Sequence, residues 1–183
     1  MYDITQTPLA GVLVLELTPI SNEENHSFQT FSQESFNQAI KSTEYKFVQD
    51  NQSKSIKNVL RGMHYQIKYP QGKLIRVLNG SIYDVVIDLR RKSESFGKWY
   101  GLEISSSNAK QIWIPPGFAH GFLVTSDTAE ILYKTTEYWK PKFERTLIWS
   151  DPNININWPL SDTPILSERD SNGTLFVSTE LFE

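Results

Sequence analysis

The chain holds three histidines and no cysteine. Any proton chemistry it performs must therefore be built from imidazole, carboxylate, ammonium and phenol groups, because thiolate nucleophiles, disulfides and zinc–cysteine sites are unavailable. His26 lies in the polar stretch NEENHSF and reads as a surface residue. His64, in VLRGMHYQ, and His120, in PPGFAHGF, sit instead in apolar runs. A titratable ring there needs either a partner or a task. The plain alternative is that each is a satisfied, partly buried histidine of an aromatic-rich sheet protein.

Two kinds of task compete. Pro115, Gly117 and His120 form a PxGxxH pattern that resembles the second half-motif of the cupin barrels, some of which bind metal. The matching first half-motif here, His64-Tyr65-Gln66, offers one imidazole and no nearby carboxylate, a poor ligand set for zinc or iron, so no metal is expected. Acid–base work suits a lone histidine better, since its ordinary pKa lies close to neutrality. Such a base needs a carboxylate to fix its tautomer, a cation beside the developing anion, and an acid on the far side of the substrate. Asp170 in LSERD, Lys73 in QGKL and Tyr133 in LYKTT are candidates. Taken singly, each has a structural reading: Lys73 a strand-start lysine, Tyr133 core, Asp170 a turn residue, and Arg61 the partner of a core carboxylate. Composition does not choose among 21 acids, 18 basic residues and 8 tyrosines.

The elements that must position these groups read as strands. KLIRVLNGSIYDVVIDL, residues 73–89, alternates, with Lys73, Ile75 and Val77 on one face and Leu74, Arg76 and Leu78 on the other. Asn79-Gly80 in its middle predicts a two-residue hairpin turn. Further strands are expected at 12–17, 45–50, 57–66, 98–105, 111–114, 121–124 and 129–139, and one short helix at 32–41 with Ser32 as N-cap. A chain of 183 residues with this pattern predicts a single all-β domain, a sandwich or barrel. It divides into an N-terminal arm over about 1–45, a barrel core over 46–140 and a loop-rich C-terminal wrap over 141–183. A net charge of −3 disfavours a non-specific nucleic-acid binder. No apolar run reaches the roughly 20 residues of a membrane helix, and MYDITQT lacks a signal-peptide pattern. A cytoplasmic protein is expected.

The motifs gain meaning jointly. VLRGMHYQ, QGKLIRVLNGSIYDVVIDLR, SFGKWYG, QIWIPPGFAHGFLV, AEILYKTTEYW and PILSERD, in that order and over roughly residues 45–170, resemble the dTDP-4-dehydrorhamnose 3,5-epimerase family. The resemblance implies a cupin-type jelly roll, a homodimer, no metal or organic cofactor, and a dTDP-4-dehydro-6-deoxy-glucose substrate. It implies His64 as general base, Asp170 as the carboxylate orienting it, Lys73 beside the C4 ketone oxygen, and Tyr133 as the opposing acid. Arg61, His120, Gln49, Asn51, Trp139 and Glu144 match substrate-contacting positions. Arg61 and His64 are three apart, so a regular strand would turn them to opposite faces. For both to reach one substrate the strand must bulge, and Gly62 is the place. Three departures stand out, one of them a stretch between His64 and Lys73 that is one residue shorter than usual and would shift Lys73 slightly. Residues 22–30, NEENHSFQT, lack the arginine usual there, and Trp139 replaces a usual tyrosine. Trp139 and the altered arm keep open an enzyme inverting only C3 or only C5. A nucleotide-sugar binding module without turnover is the reading from another class.

Overall fold

The computed structural model describes residues 2–18 and 27–183. His26, with residues 22–26 of the departing arm, lies outside the described residues. Among the described residues eleven strands run in chain order: β1 (Tyr2–Gln6), β2 (Leu13–Leu17), β3 (Gln49–Ile56), β4 (Leu60–Gln66), β5 (Lys73–Asn79), β6 (Ser81–Asp88), β7 (Trp99–Ser105), β8 (Lys110–Ile114), β9 (Phe118–Val124), β10 (Thr128–Thr135) and β11 (Glu144–Thr146). Helix α1 (Gln33–Ile40) starts at Ser32, whose hydroxyl accepts the Ser35 N–H, as expected for an N-cap. A single-turn α2 spans Glu168–Ser171.

The strands form two antiparallel sheets, one ordered β1-β2-β8-β5-β10-β3 and the other β11-β4-β9-β6-β7. Ile75, Ile112 and Ile131 of the first pack against Ile82, Val86, Phe122 and Val124 of the second, so the sheets face each other as in a jelly roll. The outer face of the five-stranded sheet is also covered. Leu60, Met63, Tyr65, Val85 and Leu123 pack under Leu147, Ile154 and Trp158 of the C-terminal segment. On the six-stranded sheet Trp113 and Leu74 lie under Phe36 of α1, with Phe36, Tyr45 and Phe47 rings at 4.9–5.9 Å from Trp113. Aromatic pairs at this spacing each add about 0.5–1.5 kcal/mol beyond area burial. Central strands therefore read as continuous apolar runs because both of their faces are buried.

Three expectations need correction. Asn79-Gly80 is not a hairpin turn: β5 pairs with β8 and β10, whereas β6 pairs with β7 and β9. The turn carries the chain from one sheet to the other, and Gly80 sits at φ 76 with no room for a Cβ, which would lie 2.0 Å from the Thr128 carbonyl oxygen. Local turn chemistry fixes where the chain bends but not which strand it then pairs with. The strand expected at 45–50 lies at Gln49–Ile56 instead. Its inward side chains Gln49, Asn51, Ser53 and Ser55 are polar, and its exposed ones, Asp50, Gln52 and Lys54, are polar too apart from Ile56, so no apolar alternation marks it. The strand expected to run to 139 ends at Thr135, which leaves Trp139 on a loop. Strands β1 and β11 were not expected.

Candidate active site

Strand β4 brings the VLRGMHYQ motif to the interior. Leu60 packs outward with the C-terminal cover, Arg61 turns inward, and then Met63 and Tyr65 face outward with His64 inward. The ladder to β9 slips between Arg61 and His64, and Gly62 at φ 124 absorbs the slip. The close approach of the neighbouring strand also demands glycine: a Cβ at 62 would lie 2.5 Å from Gly121 Cα. Arg61 and His64 thereby open into one cavity of about 470 Å³ between the sheets.

The cavity collects almost every candidate. His64, Arg61 and His120 enter it from the five-stranded sheet, and Lys73, Tyr133, Gln49 and Asn51 from the six-stranded sheet, while Trp139 and Glu144 reach it near β11. Lys73 stands across from Thr135, and Tyr133 across from Ile75 and Asn51, so ammonium and phenol are diagonal neighbours on one face. Asp170 does not line the cavity; it lies fully buried behind His64. Its Oδ1 is 2.5 Å from His64 Nε2, Ser167 Oγ donates to Oδ2 at 2.6 Å, and the Gly62 N–H donates to Oδ1 at 3.4 Å. A carboxylate only accepts, so Nε2 of His64 carries the ring proton and Nδ1 is left bare toward the cavity.

Protonation states follow from these contacts. Burial pulls the Asp170 carboxyl upward, but the bonds from His64, Ser167 and Gly62 outweigh it and leave it below its ordinary value. Burial, against the bond to Asp170, holds His64 below 6.5, and the charges of Arg169 and Lys73 push the same way. Burial brings the Lys73 ammonium down to about 8, against the support of Glu144 and Asp84. Tyr133 is raised by burial and by Glu144. Near neutral pH the cavity thus holds a neutral imidazole, an ammonium and a protonated phenol. Such a set can remove a proton, stabilise an oxyanion and return a proton.

Two residues absent from the sequence expectations belong to the site. Arg169 donates through Nη1 to Glu144 Oε2 at 2.5 Å, and its Nη2 lies 3.4 Å from His64 Nδ1. Trp139 Nε1 donates to the same Glu144 oxygen at 3.1 Å. The only signal for Arg169 in the sequence is its place beside Asp170 in SERD. Asp84, 2.8 Å from His120 Nε2, is hidden in the apolar run SIYDVVID. Among the described residues, no three His, Asp or Glu side chains converge as a metal site would require.

Comparisons with known proteins agree with one another. The profile of the family described as dTDP-4-dehydrorhamnose 3,5-epimerase matches residues 6–178. A protein of that name from Pseudomonas aeruginosa is 45% identical over 97% of this chain and 98% of its own. One from Shigella flexneri is 45% identical over 98% and 99%. A solved structure of dTDP-6-deoxy-D-glucose-3,5-epimerase from Legionella pneumophila, in complex with dTDP-4-keto-L-rhamnose, superposes with a TM-score of 0.95 at 36% identity. That similarity covers 100% of this chain and 98% of the other.

Proposed function

The chain belongs to the dTDP-4-dehydrorhamnose 3,5-epimerase family, and from that premise we propose that it inverts C3 and C5 of dTDP-4-dehydro-6-deoxy-D-glucose, giving dTDP-4-dehydro-L-rhamnose for dTDP-L-rhamnose synthesis. The observation that carries this reading is the opposition of His64 and Tyr133. They project into one cavity from opposite sheets, with Lys73 beside the phenol.

The protons at C3 and C5 are α to the C4 ketone, so removing either yields an enolate. His64 Nδ1 takes the proton while Asp170, on Nε2, fixes the tautomer and stabilises the imidazolium. The Lys73 ammonium meets the charge growing on the C4 oxygen, an interaction stronger in the transition state than in the ketone. Tyr133 returns a proton from the other sheet, hence to the other face of the sugar, and the centre inverts. Arg61, His120, Gln49, Asn51 and Glu144 hold the sugar nucleotide, and Arg169 leaves His64 Nδ1 as substrate enters. No organic cofactor or metal enters any step. A homodimer and a cytoplasmic location complete the proposal; among the described residues no helix is long and apolar enough to cross a membrane, and light scattering tests the dimer.

One observation favours a narrower activity. Trp139 lines the cavity and ties itself to Glu144, so a larger ring than tyrosine stands near the substrate. Incubation with dTDP-4-dehydro-6-deoxy-glucose in deuterium oxide, followed by NMR at C3 and C5, decides. Exchange with inversion at both carbons is the expected result, exchange at one selects the narrower enzyme, and binding of the nucleotide without exchange overturns the enzymatic reading.

A further inference from the structure

The cavity holds a second histidine mounted in the same way as the first. His120 on β9 stands directly across from His64 on β4, and its Nε2 is 2.8 Å from Oδ2 of Asp84 on β6. Asp84 is fully buried, in the middle of a strand of Ile and Val residues. Its other oxygen, Oδ1, has no hydrogen-bond partner among the described residues. A buried acceptor left unpaired is destabilising, and an apolar side chain would fit that strand without the penalty. Packing therefore gives no reason for a carboxylate at this position.

We propose that Asp84 is a positioning residue of the epimerisation site: it accepts the Nε2 proton of His120, turns that ring's Nδ1 into the cavity as a fixed acceptor for a sugar hydroxyl beside the ketone, and supplies a buried negative charge opposite the Lys73 ammonium. The proposal rests on the epimerase reading above. A neutral imidazole donates through one nitrogen and accepts through the other. With Nε2–H committed to a carboxylate, only acceptance is left to Nδ1, and a hydroxyl donor is what the ring can bind. Holding the hydroxyl next to C4 fixes the rotation of the ring carbon from which His64 takes its proton.

The charge of Asp84 acts on Lys73 from behind His120. Lys73 faces Glu144 of β11, Arg169 of α2, His64 and Arg61 of β4, His120 of β9 and Tyr133 of β10. Of its charged surroundings, Glu144 and Asp84 favour the ammonium and Arg169 opposes it. Removing one of the two supporting charges must make Lys73 lose its proton at lower pH.

The test is Asp84→Asn, which preserves shape and a carbonyl acceptor for His120 but removes the charge. Relative to wild type, kcat should fall roughly 10- to 100-fold, the size of loss that follows when a substrate-positioning group is misplaced by a fraction of an ångström to an ångström. The alkaline limb of kcat/KM should move to lower pH, and affinity for dTDP should stay the same. A fall in kcat with an unmoved alkaline limb would mean a merely structural role and overturn the proposal, as would wild-type values throughout. If the variant does not fold, ¹⁵N NMR of the wild-type histidines gives the same decision. In its neutral form His120 should show a protonated Nε2 and a bare Nδ1, and the opposite tautomer overturns the proposal. Wild-type protein that exchanges no deuterium at C3 or C5 would instead sink the epimerase reading, and this proposal with it.

Discussion

Replacing Asp170 by Asn isolates the part of the machinery that never touches substrate. Asp170 accepts from His64, Ser167 and the Gly62 N–H, and it is wholly enclosed. An amide of the same shape has one acceptor where the carboxylate has two oxygens. If its oxygen keeps the His64 Nε2–H, the imidazolium formed during turnover loses its counter-charge. If its NH₂ turns toward Nε2, the ring proton moves to Nδ1 and the base has no lone pair in the cavity. Between these outcomes the loss in kcat is about 10²- to 10⁴-fold, or about 3–5 kcal/mol of transition-state stabilisation. The Ser167 hydroxyl can rotate to accept from the amide, so the fold should lose only about 1–3 kcal/mol, the cost of an imperfectly paired buried group. The assay is initial-rate epimerisation by NMR, with dTDP affinity by calorimetry and the melting temperature as controls. Unchanged dTDP affinity is expected, because Asp170 lies behind the cavity wall. A variant within about threefold of wild type, less than 1 kcal/mol, would refute the dyad. So would a loss of nucleotide affinity matching the loss of rate.

Other perturbations probe separate parts of the site. The Lys73 ammonium, at about 8, must be charged to stabilise the enolate, so kcat/KM should fall as pH rises through that value. Lys73→Gln should cost about 10²- to 10³-fold in kcat, and a variant retaining wild-type rate would remove the ammonium from the mechanism. His64 must be neutral to act, and burial holds it below 6.5. The acid limb of kcat/KM should therefore lie below 6.5, and a limb above it would contradict the assigned state. Gly62→Ala places a Cβ 2.5 Å from Gly121 Cα and 2.9 Å from the His120 carbonyl oxygen at φ 124. The melting temperature should drop by a shift worth more than about 2 kcal/mol, with activity lost even at low temperature. A stable, active alanine variant would show that the slip in β4 is not needed.

Much of the architecture was legible because burial leaves a mark on residue type. β2, β4 and β6 through β10 pack apolar side chains against a sheet or its cover, and their Val, Ile, Leu and aromatic runs announced them. β3 was misplaced for the converse reason: its inward face lines a wet cavity, so Gln49, Asn51, Ser53 and Ser55 point in and Ile56 points out. A strand polar on both faces reads as a loop. The Asn79-Gly80 turn was located correctly, but the partner of each flank depends on the whole jelly roll and is not written in four residues. The Gly62 slip, by contrast, could be inferred, because Arg61 and His64 cannot share a face of a regular strand. Grouping His64, Lys73, Tyr133 and Asp170 took the order of the long motifs, as no local pattern links positions that meet only through sheet closure. Arg169 and Asp84 escaped because each looks ordinary in sequence, one an arginine in a turn and the other an acid in a β run. Their meaning lies in 2.5 Å and 2.8 Å contacts to distant residues.

The central idea, a base and an acid on opposing sheets with the enolate between them, is tested most directly by Tyr133→Phe in deuterium oxide. His64 and Lys73 are untouched by that change, so the base should still form the enolate and return solvent deuterium to the face it came from. The prediction is deuterium at C3 with the original configuration and little or no inverted product. Full inversion at the wild-type rate, or an absence of deuterium at C3 in a variant that still binds dTDP, would contradict the account.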